Sequence, residues 1–107
     1  MNALKWDKEF ALEQAADDVD LLKDLLEIFK ESLKSDIHLI EQGIAEDAAA
    51  KVCRAAHSIK GAAASLGILG IHEIALDIEE ESRAGGLGIA RAKLPFLKSM
   101  REELEGL

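Results

Sequence analysis

Apolar residues recur along most of the chain at steps of three and four, the period of helices that each bury one face. The clearest run is Leu22, Leu26, Phe29, Leu33, Ile37, Ile40 and Ile44. It predicts a long amphipathic helix of about 25 residues, capped at its start by Asp18 and stopped near Gly43. Ahead of it, Asp7 can cap a short helix from about Lys8 to Gln14, with Trp6 and Phe10 closing one end of the core. Asp47 can cap a third helix, whose apolar stripe is Val52, Ala55, Ile59, Ala62 and Leu66 and whose natural stop is Gly67. A fourth runs from about Gly70 to Arg83, with Ile71, Ile74, Ala75 and Ile78 inward, and Gly85 and Gly86 form the next turn. The last segment, from about Gly88 to Glu105, puts Ala90, Leu94, Leu97, Met100 and Leu104 on one face. Pro95 falls inside it, and a mid-helix proline forfeits a hydrogen bond and clashes with the turn before it. The pattern therefore predicts a kink there, or a helix restart with Pro95 in its first turn. Four long helices with short connections predict an all-α fold, an antiparallel up-down four-helix bundle with the short N-terminal helix across one end. No internal repeat or low-complexity linker divides residues 1–107, which read as a single domain.

Composition reinforces this pattern. Ala, Leu, Glu, Lys and Arg make up 59 of 107 residues, with two Val and no Thr or Tyr, which favours helix and leaves little to build a sheet from. No segment approaches the ~20 consecutive apolar residues needed to span a bilayer, and Met1 to Phe10 lack the apolar core of a signal peptide. A single cysteine cannot close an internal disulfide, so a reducing, cytoplasmic setting fits best. The net charge of −8 argues against binding to nucleic acid. Its distribution is more telling. Between Ala48 and His72 there is no acidic residue, and Lys51, Arg54 and Lys60 make this stretch +3 in a chain whose remainder is −11.

That basic stretch is the third helix, and it carries the candidate chemistry. His57 lies about 200° around the helix from Ile59 and so points away from the core stripe. Lys60 and Gly61 follow one turn on along the same face, Ala64 one turn beyond, and Cys53 and Arg54 stand one turn before. An isolated surface histidine has no need of such neighbours. Gly61 costs about 1 kcal/mol relative to Ala inside a helix, and an exposed position gives no packing reason for it. Its effect is to strip bulk from beside the imidazole. Lys60 supplies a positive charge where an anion on the ring would sit, and the acid-free stretch keeps carboxylates away from that anion.

Ala56-His57-Ser58-Ile59-Lys60-Gly61-Ala62-Ala63-Ala64-Ser65-Leu66-Gly67 resembles the signature of histidine-containing phosphotransfer (HPt) domains: a His, an apolar residue, Lys-Gly, a run of small residues and an apolar-Gly pair. The resemblance extends to the Trp6-Asp7 start, the Asp18-capped helix, the Gly-Gly turn and a final helix containing Pro. It departs from the family at Ser65, where Asn or Asp is frequent. The resemblance implies that His57 accepts a phosphoryl group on its distal ring nitrogen from a receiver-domain aspartyl phosphate and passes it to another receiver. It implies that Lys60 stabilises the phosphoryl charge, that Gly61 leaves room for the partner's active site, and that Ser65 sits near the ring and helps orient it. Arg54, Cys53, Gly61, Ala64 and Ser65 would form the receiver docking face. The partners implied are response-regulator receiver domains and a hybrid histidine kinase, with Mg²⁺ on the receiver and no cofactor on this chain, which would act as a monomer. Imidazole suits the role, being a nucleophile near pH 7, and phosphoryl transfer needs mainly positioning and charge neutralisation.

Other features weigh less. Cys53 and His57 have a metal-ligand spacing, but two ligands do not make a zinc site. His38 and His72 read as surface histidines, although His72 can flank the docking face. No Glu-x-x-His pair supports a di-iron bundle. No Gly-rich phosphate loop supports ATP binding or autonomous kinase activity. Glu79-Glu80-Glu81 reads as a solvated helix face. An alternative function is a non-catalytic helical adaptor that binds receiver or kinase domains without being phosphorylated; His57, Lys60 and Gly61 together argue against it. A domain of a larger hybrid kinase would present the same sequence, and the start at Met1 favours a free-standing protein.

Overall fold

The computed structural model describes residues 3–107. Among them are five helices and no strand: α1 (Lys8–Gln14), α2 (Val19–Ala45), α3 (Ala49–Ser65), α4 (Leu69–Arg83) and α5 (Gly88–Glu105). The 27 residues of α2 rise about 40 Å at 1.5 Å each, nearly the 42 Å length of the molecule. α3 packs on α2, α4 on α3, α5 on α4, and α5 returns to α2, while α1 leans on α2.

The apolar stripes explain why these faces meet. Leu22, Leu26, Phe29, Leu33, Ile37 and Ile40 of α2 are buried, and so are Val52, Ala55 and Ile59 of α3, Ile71, Ala75 and Ile78 of α4, and Leu97, Met100 and Leu104 of α5. Ile44, Ala62, Ile74 and Leu94 pack against this core from its margin, half-buried. The caps of the first two helices sit on the predicted residues. Asp7 accepts from the Phe10 N–H at 3.1 Å, and Asp18 accepts from those of Asp20 and Leu21. The segment before α1 is fastened to the α3–α4 turn: Trp6 Nε1 donates to Leu66 O at 3.0 Å and Asp7 N to Gly67 O at 2.8 Å. Gly67 makes that turn at φ +68°, a backbone region that glycine enters without strain.

Four features differ from the sequence expectation. α2 runs past Gly43 to Ala45, because Gly43 serves close packing and does not stop the helix; a Cβ there would lie 2.6 Å from Val52 Cγ2 of α3. Asp47 does not cap α3. It turns the chain at φ 55°, and the cap position falls to Ala48, which has no side-chain bond to offer. Nor does α5 restart at Pro95. The helix is unbroken from Gly88 to Glu105, and Pro95 lies on its exposed side. Finally, the Glu79-Glu80-Glu81 run is not a solvated face. Only Glu80 is exposed; Glu79 is buried, and Glu81 accepts from the Ile89 N–H at 2.6 Å, capping an α5 start that lacks a side-chain cap of its own.

Candidate functional site

α3 lies between α2 and α4, so its outer face is flanked on both sides. His57 stands on that face with 68% of its side chain exposed. Its Nδ1 is 2.5 Å from Glu79 Oε2, on α4, and this carboxylate is held from two further sides. Lys60 Nζ lies 2.6 Å from Glu79 Oε1, and an Arg83 guanidinium nitrogen lies 3.2 Å from Oε2. Glu79 has only 2% of its side chain exposed. The hydrogen bond from Lys60, aided by that from His57, holds its carboxyl below the usual carboxylate range, against burial, which pushes it up.

Those facts fix the tautomer. An ionised carboxylate only accepts hydrogen bonds, so the proton in the His57–Glu79 contact belongs to Nδ1. In the neutral form of the ring Nε2 then carries the lone pair, and no hydrogen bond reaches it from a described residue. The absence of acids along α3 does not leave the ring free of carboxylates, because α4 brings one to it. Lys60 and Arg83 outnumber that carboxylate by one positive charge beside the ring. One turn on, Gly61 is exposed, and a Cβ built on it would meet nothing within 4 Å. The bundle does not need glycine there, and the space beside the imidazole is open.

The Hpt domain family model matches residues 24–107, a span that contains the whole cluster. The chain belongs to the Hpt domain family. Its fold is also that of the crystal structure of the HPT domain from the Hpt sensor hybrid histidine kinase from Shewanella, with a TM-score of 0.79, 16% identity, and coverage of 97% of this chain and 93% of that one. No curated protein matches the chain.

Around the histidine of this Hpt domain the remaining predicted residues divide. Ala64 and Ser65 are exposed beyond Gly61. Ser65 does not orient the ring: its hydroxyl donates to Ala62 O at 2.8 Å, and the orienting contact belongs to Glu79. Ser65 instead borders a groove of about 330 Å³ against α2, walled by Leu25, Ile28, Ser32 and Ala62. Ile28 is 65% exposed, the most exposed large apolar side chain of the described residues. On the other side, Cys53 and Arg54 line a depression with Arg83 and Gly85, and the Cys53 sulfur lies 3.8 Å from Glu79 O. His72 approaches Lys60 O at 3.4 Å and lines a small pocket with Phe10, Ala64 and Leu69. His38 lies apart on α2, 3.2 Å from Gln42 Nε2. No group of three or more metal-ligating side chains occurs among the described residues.

Sequence reasoning missed Glu79 and Arg83. A signal for the first was present, since Glu79 follows Ala75 by one turn and so falls on the inward side of α4. Arg83 is one further turn along, the spacing at which opposite charges meet on a helix.

Proposed function

We propose that this Hpt domain is a phosphoryl carrier of a two-component phosphorelay. His57 Nε2 accepts the phosphoryl group of a receiver's aspartyl phosphate and hands it to another receiver; the chain has no kinase activity of its own. One observation carries this reading: a largely exposed imidazole with Nδ1 tied to a buried carboxylate, beside a Gly61 that adds no side chain to the open space around it. Lys60, now on Glu79, is within a side-chain rotation of a group on the ring and would share its charge between the two anions. The receiver would bring Mg²⁺ and its acidic pocket.

The order of helix packing, with connections of three or four residues between the long helices, supports an antiparallel up-down four-helix bundle. In that arrangement the docking face centres on His57, Gly61 and Ala64. It continues past Ser65 into the Ile28 groove, and past Cys53 and Arg54 on the other side. Receivers and a hybrid kinase are the partners, met by a monomer. No helix among the described residues is long and apolar enough to cross a membrane, and a reducing cytoplasm suits the lone thiol. Incubation with candidate phosphorylated receivers, following label onto this chain, tests the role. Transfer to the wild-type chain and none to His57→Gln is expected. A receiver that binds tightly yet delivers no label to the wild-type chain would favour an adaptor instead.

A further inference from the structure

We propose that the charge of Glu79 sets how readily the phosphoryl group leaves His57, by keeping Nδ1 protonated while Nε2 carries phosphorus. The inference rests on the carrier role above and adds what controls the outward step. Transfer out breaks the P–Nε2 bond and leaves its electron pair on Nε2. Phosphorus bonds to a carboxylate oxygen of the receiver's aspartate or, in hydrolysis, to water, giving dihydrogen phosphate. If Nδ1 holds its proton, the ring departs as neutral imidazole. If it does not, the ring must depart as imidazolate, a far poorer leaving group. Lability therefore follows the protonation of Nδ1.

The geometry assigns that control to one residue. Phosphorylation at Nε2 with Nδ1–H retained makes the ring cationic, and the nearest anion is the Glu79 carboxylate at 2.5 Å. A carboxylate at hydrogen-bond distance favours the charged ring and raises the pH at which the Nδ1 proton is lost. Burial of Glu79 leaves little water to screen this contact. The other groups around the ring work with or against it. Lys60 on α3 and Arg83 on α4 both neutralise the same carboxylate and so temper its effect. Arg54 on α3 adds positive charge, the Cys53 thiol is held toward the Glu79 backbone, and His72 on α4 faces the Lys60 carbonyl. From α2, Asp36 is engaged by Ser58.

The test uses the full chain, phosphorylated with phosphoramidate so that no receiver enters, and follows phosphoryl loss against pH. Glu79→Gln keeps an oxygen to accept from Nδ1 but removes the charge. The loss rate should fall through a midpoint as pH rises, and that midpoint should lie about one pH unit lower in Glu79→Gln. The variant should then lose phosphate up to about tenfold more slowly above both midpoints, and at the wild-type rate below both. Arg83→Ala should move the midpoint the opposite way. The phosphorus resonance, titrated over the same range, reports the ring directly. Equal midpoints in wild type and Glu79→Gln, or shifts of the same sign in both variants, would overturn the proposal. Failure of the carrier role is distinguishable, since phosphorylated receivers would then leave the wild-type chain unlabelled while phosphoramidate still loads His57.

Discussion

Two glycines inside helices of this Hpt domain should respond oppositely to the same added methyl group. Gly61 stands in α3 and Gly43 in α2. A Cβ at Gly61 meets nothing within 4 Å, so Gly61→Ala removes only the helix penalty of glycine, about 0.5–1 kcal/mol. With an unfolding entropy of roughly 2.1 cal/mol/K per residue, that is a rise of about 2–4 °C in melting temperature for this chain. A Cβ at Gly43 would lie 2.6 Å from Val52 Cγ2 and 3.2 Å from Ala48 O, where α2 and α3 pack. Val52 is fully buried and has nowhere to move, so Gly43→Ala should lose about 1–3 kcal/mol despite the same helix gain. Thermal unfolding followed by circular dichroism at 222 nm reads both. Larger side chains at position 61, such as Gln, should keep most of the stability gain yet slow phosphoryl transfer by filling the space beside His57. A Gly61→Ala variant no more stable than wild type would refute the view that the bundle does not need this glycine. Unimpaired transfer in Gly61→Gln would refute the view that a partner does.

Three further outcomes follow from contacts elsewhere. Glu81→Ala removes the acceptor of the Ile89 N–H and should cost about 1 kcal/mol, read as a lower urea midpoint at unchanged slope; an unchanged midpoint would mean that water replaces the cap. Burial raises the Asp36 carboxyl above its ordinary value of 3.8, against hydrogen bonds from Ser58 and Ser32. Its contribution to stability is then complete below that value and is lost as pH rises through the folded one. Asp36→Asn, which can still accept from Ser58, should therefore melt slightly higher at pH 7, with the advantage gone below about pH 3.8; a lower melting temperature at pH 7 would contradict this. Arg54→Glu should weaken receiver binding and its salt dependence more than Lys98→Glu, whose ammonium is paired with Glu41 across α2 and α5; equal losses in a titration would show that net charge governs the encounter.

The helices were legible because apolar spacing records which side of each is buried, and that constraint is local. Leu22 to Ile40 shows it best, since every member of that run up to Ile40 lies in the core. Asp7 and Asp18 were legible as caps because a cap bonds within two or three residues of itself. The histidine face was legible for the same reason, as one helix places His57, Lys60 and Gly61 together. What lay between helices was not. Gly43 looked like a stop because its neighbour Val52 comes from another helix. The acid-free stretch looked free of carboxylates because Glu79 arrives from α4, 22 residues on. Glu81 looked like solvated charge because the N–H it caps belongs to the next helix. Ser65 was assigned to the ring from the family signature, and its hydroxyl instead bonds one turn back to Ala62.

The nitrogen and phosphorus spectrum of the labelled chain tests most directly whether His57 carries the phosphoryl group on Nε2. With imidazole nitrogens enriched in ¹⁵N, phosphorylation should produce phosphorus coupling on Nε2 of His57 alone, leave its Nδ1 proton bound, and leave His38 and His72 unchanged. The adduct should be lost in acid and persist in mild base. Coupling on Nδ1, or on the ring of His38 or His72, or an adduct that survives acid, would contradict the account.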